Sequence, residues 1–173
     1  TRDEFSAEFY RRHNVAAVAA FDCLPLFISQ RFPEIIAEKS VKPYVVVTNG
    51  VNMQQHVFEK MLDEAVERYG ADHKIIYLLG SSGSLPSEDE RAVNFIRNHY
   101  VQGGRIEIRN AARFDEFLTL INEAKLLITG RFHYIIAAMC TKTPFLAVGS
   151  NTPKTDIVTA SHGYDGEVLS PKT

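Results

Sequence analysis

The chain has 173 residues, of which 45% are hydrophobic and 23% are charged, and its formal net charge at pH 7 is −2. This size and composition are those of one globular domain with a sizeable core. The balanced charge gives no basic field for nucleic acid, so any anion site must be built locally. The longest apolar stretch, 15–28, is too short to cross a bilayer and is interrupted by Asp22 and Pro25.

The first forty residues mix several element types. The spacing of Phe5 and Phe9 predicts an amphipathic helix over 3–13. The apolar run 15–21 has the length of a strand, and the segment 30–43, with two prolines, is typical of a connector. We therefore separate 1–40 (helix, strand and connector, expected to be a remnant of a preceding domain) from a regular domain over 41–173.

From residue 44 onward, apolar strands alternate with helices. The predicted strands are 44–48, 74–79, 105–109, 126–128 and 144–148, and the helices between them are 54–69, 87–100, 114–124 and 135–140. A last helix starts with 156–160 and ends at Gly163. The strands are apolar at successive positions, as expected when both faces of a sheet are covered. The pattern predicts an α/β fold: a Rossmann-like, doubly wound parallel sheet of about five strands with helices on both faces.

Two residues with chemistry follow the strand at 126–128. Arg131 and His133 stand where the amides of a helix N-terminus attract anions, and a guanidinium and an imidazole would complete a phosphate or carboxylate site. An Arg at this end of a helix is otherwise unfavourable, because it meets the positive end of the helix dipole. We therefore expect an anion there. The alternative is a surface Arg beside a partly buried His whose hydrogen bonds are satisfied within the protein.

Other strand ends carry weaker signals. If the last two predicted strands are neighbours, Lys154 could reach the same anion, and Ser150, Asn151 and Thr152 offer donors to the same volume; helix capping with a solvated Lys is the alternative. The loops at 49–50 and 80–83 are as typical of a flexible connection as of a phosphate-binding loop. No Cys/His spacing indicates a metal, and none is predicted.

The run TGRFHYIIAAMCTKTPFLAVGSNTPK resembles the signature of the polysaccharide pyruvyl transferase family. That signature has R-[LF]-H at a strand end, a small-residue helix, a strand led by Pro144, and a Lys a few residues later. The opening Arg2-Asp3-x-x-Ser6, followed by Asp22, is similar to the middle segment of the family. The chain starts inside a predicted helix, so we expect it to be a fragment of a longer protein. The two resemblances together imply that it is roughly the C-terminal half of such a protein.

The resemblance implies a GT-B-like fold and a transferase. The reaction would move pyruvate from phosphoenolpyruvate to a sugar hydroxyl, which forms a ketal on cell-surface polysaccharide. It implies that Arg131 and His133 contact the donor with the Phe132 amide nearby, and that Arg2 is a second anion contact. We expect His133 to supply or relay a proton and Arg131 to hold the departing phosphate.

The candidate site combines both lines of reasoning. Its catalytic residues are His133 and Arg131, and its substrate-binding residues are Arg2, Phe132, Lys154, Ser150, Asn151 and Gly130. No cofactor is expected beyond phosphoenolpyruvate as the donor substrate, and the expected partner is a saccharide acceptor. The expected location is cytoplasmic, peripheral to the membrane where polysaccharide is assembled.

Two other functions fit the same pattern. The chain could be the C-terminal donor-binding half of a GT-B nucleotide-sugar glycosyltransferase, in which Asp165 or Glu167 would hold the ribose or sugar. It could also be a non-catalytic GT-B-like module of a larger protein of envelope biosynthesis.

Overall fold

A computed structural model describes residues 1, 4–20, 22–50, 53–80, 87–100, 104–148 and 168–169, with the backbone alone at 87, 88, 168 and 169. Its helices are α1 (Glu4–Arg12), α2 (Leu24–Arg31), α3 (Pro33–Ala37), α4 (Gln55–Tyr69), α5 (Ser87–His99), α6 (Phe114–Asn122) and α7 (Phe132–Cys140). Its strands are β1 (Tyr44–Gly50), β2 (Lys74–Leu78), β3 (Ile106–Arg109), β4 (Leu126–Gly130), β5 (Phe145–Val148) and β6 (Val168–Leu169).

The strands form one sheet in the order β3-β2-β1-β4-β5-β6, and every pairing is parallel. This is the strand order of the dinucleotide-binding Rossmann folds. The predicted fold class is therefore confirmed. The sixth strand, which has two residues, was not predicted, and the predicted helix at 156–160 lies outside the described residues.

Strand β1 shows why the strands carry continuous apolar runs. Val46 belongs to the core cluster formed with α6 and α7, whereas Val45 and Val47 belong to the cluster formed with α4 and α5. All three side chains are fully buried. Since helices cover both faces of the sheet, the first part of a central strand is apolar on both faces, and polar residues appear only towards its carboxyl end.

The predicted strand at 15–21 is wrong for the residues described there. Residues 15–20 form neither helix nor strand, and Val15 and Val18 are exposed. The segment runs back along α1, where the Ala17 carbonyl oxygen accepts a hydrogen bond from Arg11 Nε at 2.9 Å. A strand needs a neighbouring strand for its backbone hydrogen bonds, and this run lies outside the sheet.

The predicted connector over 30–43 contains the end of α2 and the whole of α3. Pro33 is the first residue of α3, a position that tolerates proline because the amide there has no helical partner. Helix α2 packs against α7, and Ile28 is fully buried in the core. The division of the chain at residue 40 stays a prediction.

Hydrogen bonds from side chains connect the segment after α2 to the ends of α6 and α7. The Asn122 carboxamide donates to the carbonyl oxygens of Ile35 and Glu38 at 2.9 and 2.7 Å. Lys39 Nζ donates to the Asn122 carbonyl oxygen at 2.6 Å and to Thr143 Oγ1 at 2.7 Å. These contacts hold α3 at the end of the sheet where the strands begin, opposite their carboxyl ends.

The Asn122→Ala variant tests this connection. It removes two hydrogen bonds, so we expect its free energy of unfolding in urea to fall by about 2 kcal/mol. Asn98, on α5, is exposed and provides the matched control, because its replacement by alanine should change stability by less than about 0.5 kcal/mol. Equal losses in the two variants would contradict the assigned role of Asn122.

Candidate functional site

The carboxyl ends of β1 and β4 define the candidate site. These strands are neighbours, yet the chain leaves β1 for β2 on one side and reaches β4 later on the other. The strand order therefore reverses between them, and ligands of open α/β sheets bind at such switch points. Helix α7 follows β4 directly, so its N-terminus lies at this edge.

Two glycines allow the ends of β1 and β4 to approach each other. Gly50 pairs with Gly130 after an irregularity in the register. A Cβ atom on Gly130 would lie 3.0 Å from the Gly50 Cα and 2.9 Å from the Met53 Cε, both too close. Gly130, predicted to bind substrate, thus has a packing role here. Its predicted contact with substrate stays a prediction.

Buried threonines connect the same strand ends. Thr48 Oγ1 and Thr129 Oγ1 lie 2.6 Å apart, and Thr129 Oγ1 accepts a hydrogen bond from the Arg131 amide at 3.0 Å. Both threonines are fully buried. This network fixes the turn from β4 into α7, where Arg131 is the residue before the first helical position.

The Arg131 side chain is held by residues of two other elements. Its Nε and Nη2 donate to Asn49 Oδ1 at 3.0 and 2.5 Å, and Nη2 also donates to Asp89 Oδ1 at 3.0 Å. The Arg131 side chain is 15% exposed, and the Asp89 side chain is fully buried. Asp89 thus supplies a negative charge beside Arg131, where the sequence predicts an anion.

Asp89 receives three hydrogen bonds from residues that the structure describes. Besides Arg131, the Tyr77 hydroxyl donates to Oδ1 at 2.9 Å and the Gly80 amide donates to Oδ2 at 3.0 Å. Burial and the neighbouring carboxylate raise the pKa of Tyr77, so its phenol remains a neutral donor. A buried carboxylate is costly unless it is paired, and Arg131 is its ion-pair partner among the described residues.

Gly80 leaves room for the guanidinium. A Cβ atom on Gly80 would overlap Cζ and both terminal nitrogens of Arg131. The backbone of Gly80 does not adopt the left-handed conformation, so the absence of a side chain matters for space alone. The backbone of Gly80 therefore forms a surface against which the Arg131 guanidinium lies.

Two donors at this edge lack partners in the part of the chain that the structure describes. Arg131 Nη1 has no hydrogen-bond acceptor there, and Asn49 Nδ2 is buried without one. Because Asn49 Oδ1 accepts from the guanidinium, the orientation of its amide follows from chemistry. Both donors are suited to an anionic oxygen.

The N-terminus of α7 adds a backbone donor and an imidazole. The Arg131 carbonyl oxygen accepts from the amides of Tyr134 and Ile135, while the His133 amide has no partner among the described residues. The His133 side chain is exposed, and its ring lies 5.3 Å from that of Phe132, which packs against the core. The His133 imidazole is thus accessible from solvent at the switch point.

Tyr134 lies beside Arg131 and forms a hydrogen bond with the residue that follows β2. Its hydroxyl donates to the Leu79 carbonyl oxygen at 2.9 Å, and its ring centroid lies 6.0 Å from Arg131 Cζ. Burial raises its pKa to about 12, so it stays protonated near neutral pH. Tyr134 therefore links α7 to the end of β2 without adding charge.

Sequence reasoning found part of this site. Arg131, His133, Phe132 and Gly130 lie together at the switch point, and β4 and β5 are neighbours, which is the condition set for Lys154. The other predicted residues lie outside the described residues: Arg2, Ser150, Asn151 and Lys154.

Asp89 is absent from the predicted site residues. It stands inside the Ser-x-x-Glu sequence at 87–90, which is typical of the start of a helix. The signal that could have indicated it is a carboxylate at the start of the helix that follows β2. Within the described ranges, no group of three or more His, Cys, Asp or Glu side chains could hold a metal ion, and the absence of a metal stays a prediction.

The fold and the site define a class: a Rossmann-like α/β domain with a polar switch point. Residues 1–152 match the model of the polysaccharide pyruvyl transferase family, and the chain belongs to that family of transferases. No curated protein sequence matches the chain significantly.

Solved structures support the fold assignment. UDP-GlcNAc 2-epimerase from Methanocaldococcus jannaschii, in complex with UDP-GlcNAc and UDP, aligns with a TM-score of 0.63 and 16% identity over 96% of this chain and 54% of its own. A second structure of that enzyme aligns with a TM-score of 0.61 and 16% identity over 98% and 50%. Both have the GT-B fold. At this identity the likeness is one of fold alone, and the chain spans about half the length of these proteins.

The Gly80→Ala variant tests the packing of Arg131. The new methyl group would displace the guanidinium from Asp89, so we expect a loss of about 3 kcal/mol in the free energy of unfolding. In an Arg131→Ala background the overlap is absent, and the same change should cost less than about 1 kcal/mol. Equal costs in the two backgrounds, measured by urea denaturation, would show that the overlap does not occur.

Proposed function

We propose that this chain holds the donor half of a site that transfers pyruvate from phosphoenolpyruvate to a sugar hydroxyl. The observation that carries the proposal is the juxtaposition, at the switch point, of an exposed His133 and a fixed Arg131 in a chain of the pyruvyl transferase family. The family name supports a polysaccharide as the acceptor.

The donor set suits the charges of phosphoenolpyruvate. The molecule carries a phosphate and a carboxylate, and each needs hydrogen-bond donors. The His133 amide at the positive end of α7, Arg131 Nη1 and Asn49 Nδ2 offer three donors at one edge. Because Asp89 balances the Arg131 charge, the donors work mainly through oriented hydrogen bonds. Arg2 and Lys154 remain proposed further cations.

The reaction needs a proton donor as well as an anion site. In the proposed mechanism, the His133 imidazolium gives a proton to the methylene carbon, which becomes a methyl group and leaves C2 electrophilic. One sugar hydroxyl bonds to C2, the C2–O bond to phosphate breaks with its electrons on oxygen, and a second hydroxyl closes the ketal. One hydroxyl proton returns to His133, and the other leaves on the phosphate. An imidazole is suited to this work because the same ring can donate a proton and later accept one.

Arg131 has a narrower part in this mechanism than a free cation would have. Its Nε and Nη2 are engaged by Asn49 and Asp89, so Nη1 is the atom proposed to contact the departing phosphate. A guanidinium already fixed in place needs no reorganisation as charge develops on the leaving group.

The acceptor and the cellular location remain proposals. We expect the acceptor saccharide to approach the exposed side of His133. Among the described residues, no helix combines the length and the apolarity needed to cross a bilayer. A cytoplasmic location at the membrane where polysaccharide is assembled stays a prediction.

Calorimetry tests the choice of donor. We expect phosphoenolpyruvate to bind the chain, and we expect UDP-GlcNAc and CMP-sugars to bind far more weakly, because the site offers donors for two compact anionic groups. Inorganic phosphate serves as the control for simple anion binding and should bind more weakly than phosphoenolpyruvate. Tight binding of a nucleotide sugar with none for phosphoenolpyruvate would favour the glycosyltransferase function instead.

The His133→Ala variant tests the proton donor. We expect phosphate release from phosphoenolpyruvate, measured with a panel of saccharide acceptors, to fall by about 100-fold or more. Binding of phosphoenolpyruvate should weaken only a few-fold, because the backbone amide remains. His99, which is exposed near the end of α5, provides the control, and its alanine variant should keep full turnover. If turnover of the His133 variant survives within a few-fold, the proposed role is wrong.

A further inference from the structure

We propose that Asp89 is a positioning residue of the donor site, which holds the Arg131 guanidinium across the end of β1 with Nη1 directed to an anionic oxygen of the donor. The inference rests on the proposed function, because it gives Asp89 a part in binding that donor. Nothing in the family match or in the fold assigns a role to this residue.

The first step is the geometry of the ion pair. Arg131 follows β4 and Asp89 lies in the first turn of α5, the helix that follows β2, so the pair spans the end of β1 between them. Asn49, at the end of β1, accepts from the same guanidinium. The guanidinium therefore has one contact on each side and its position is determined by three elements.

The second step is the burial of the carboxylate. Asp89 is fully buried, and within the described ranges its other hydrogen bonds come from neutral donors, Tyr77 and Gly80. These two bonds fix both carboxylate oxygens, so the acceptor that Arg131 meets is rigid. A carboxylate oxygen that is fixed in place also fixes the guanidinium bound to it, whereas a mobile, solvated carboxylate would not.

A positioning role of Asp89 and a purely electrostatic role predict different effects of removing its charge. If the site attracted the donor by charge alone, a buried carboxylate beside Arg131 would oppose binding. Removing that negative charge would then tighten the binding of phosphoenolpyruvate. If Asp89 positions Arg131, its removal frees the guanidinium and weakens binding although the local charge becomes more positive. The two roles thus predict opposite changes in affinity.

The Asp89→Asn variant distinguishes them. We expect its dissociation constant for phosphoenolpyruvate, measured by calorimetry, to rise about tenfold, the loss typical of one hydrogen bond to a charged group. Glu90→Gln removes the charge of the neighbouring carboxylate of α5, which is exposed, and leaves the ion pair. This control should keep the dissociation constant of the wild type.

A second measurement reports the position of Arg131 without any donor. The Arg131 Nε–H is hydrogen-bonded to Asn49, so its proton should exchange slowly and give an NMR signal, assigned by its loss in Arg131→Lys. We expect the signal in the wild type and in Glu90→Gln, and its loss in Asp89→Asn. If Asp89→Asn fails to fold, Gly80→Ala displaces the guanidinium while leaving the carboxylate, and it should weaken binding of phosphoenolpyruvate by a similar factor.

The outcomes separate this inference from the proposed function. Tighter or unchanged binding of phosphoenolpyruvate to Asp89→Asn overturns the positioning role while the proposed function stands. A retained Nε–H signal in that variant overturns it as well. If the wild type does not bind phosphoenolpyruvate, the proposed function fails and this inference fails with it, whatever the NMR signal does.

Discussion

The ion pair between Arg131 and Asp89 is the interaction on which the rest of the switch point depends. A carboxylate with no exposed surface is stable only if it is paired and hydrogen-bonded, and Arg131 supplies the charge. The pair requires a glycine at position 80, because any side chain there would occupy the volume of the guanidinium. It also draws Asn49 into the same network. The end of β1 is thus enclosed by contacts that reach from β4 to α5.

This arrangement changes how the anion site should be understood. A cation at the N-terminus of α7 is unfavourable on its own, and the fully buried Asp89 removes that difficulty from within the protein. What remains for a ligand is a set of oriented donors beside the exposed imidazole of His133. In a partly buried site, donors that are already oriented interact with an anionic oxygen more strongly than they would in water. The proposed use of phosphoenolpyruvate follows from this set and from the family.

Much of the fold was predictable because apolar runs and helical spacing are local signals. The segment 44–48 was predicted as a strand and is part of β1, and the core strands fall where the sequence predicts them. The strand predicted at 15–21 was wrong for the described residues 15–20, because an apolar pattern carries no information about whether a neighbouring strand exists. The helix α7 begins at Phe132 and not at 135, since Arg131 is not a residue type that marks a helix start.

The ion pair could not be predicted in the same way. Arg131 and Asp89 are 42 residues apart, and their contact depends on β4 lying next to β1 on the side away from β2. That order is a property of the whole sheet. In the sequence, Asp89 stands inside a typical helix-starting motif, which is sufficient to account for it and which hid its second role.

A crystal structure of the chain with phosphoenolpyruvate would test the central claim most directly. The account predicts the phosphate at the N-terminus of α7, with an oxygen within hydrogen-bonding distance of the His133 amide, another near Arg131 Nη1, and the methylene carbon facing the His133 ring. The Arg131–Asp89 pair should be unchanged. Phosphoenolpyruvate bound away from the ends of β1 and β4, or an Arg131 that leaves Asp89 to bind it, would contradict the account.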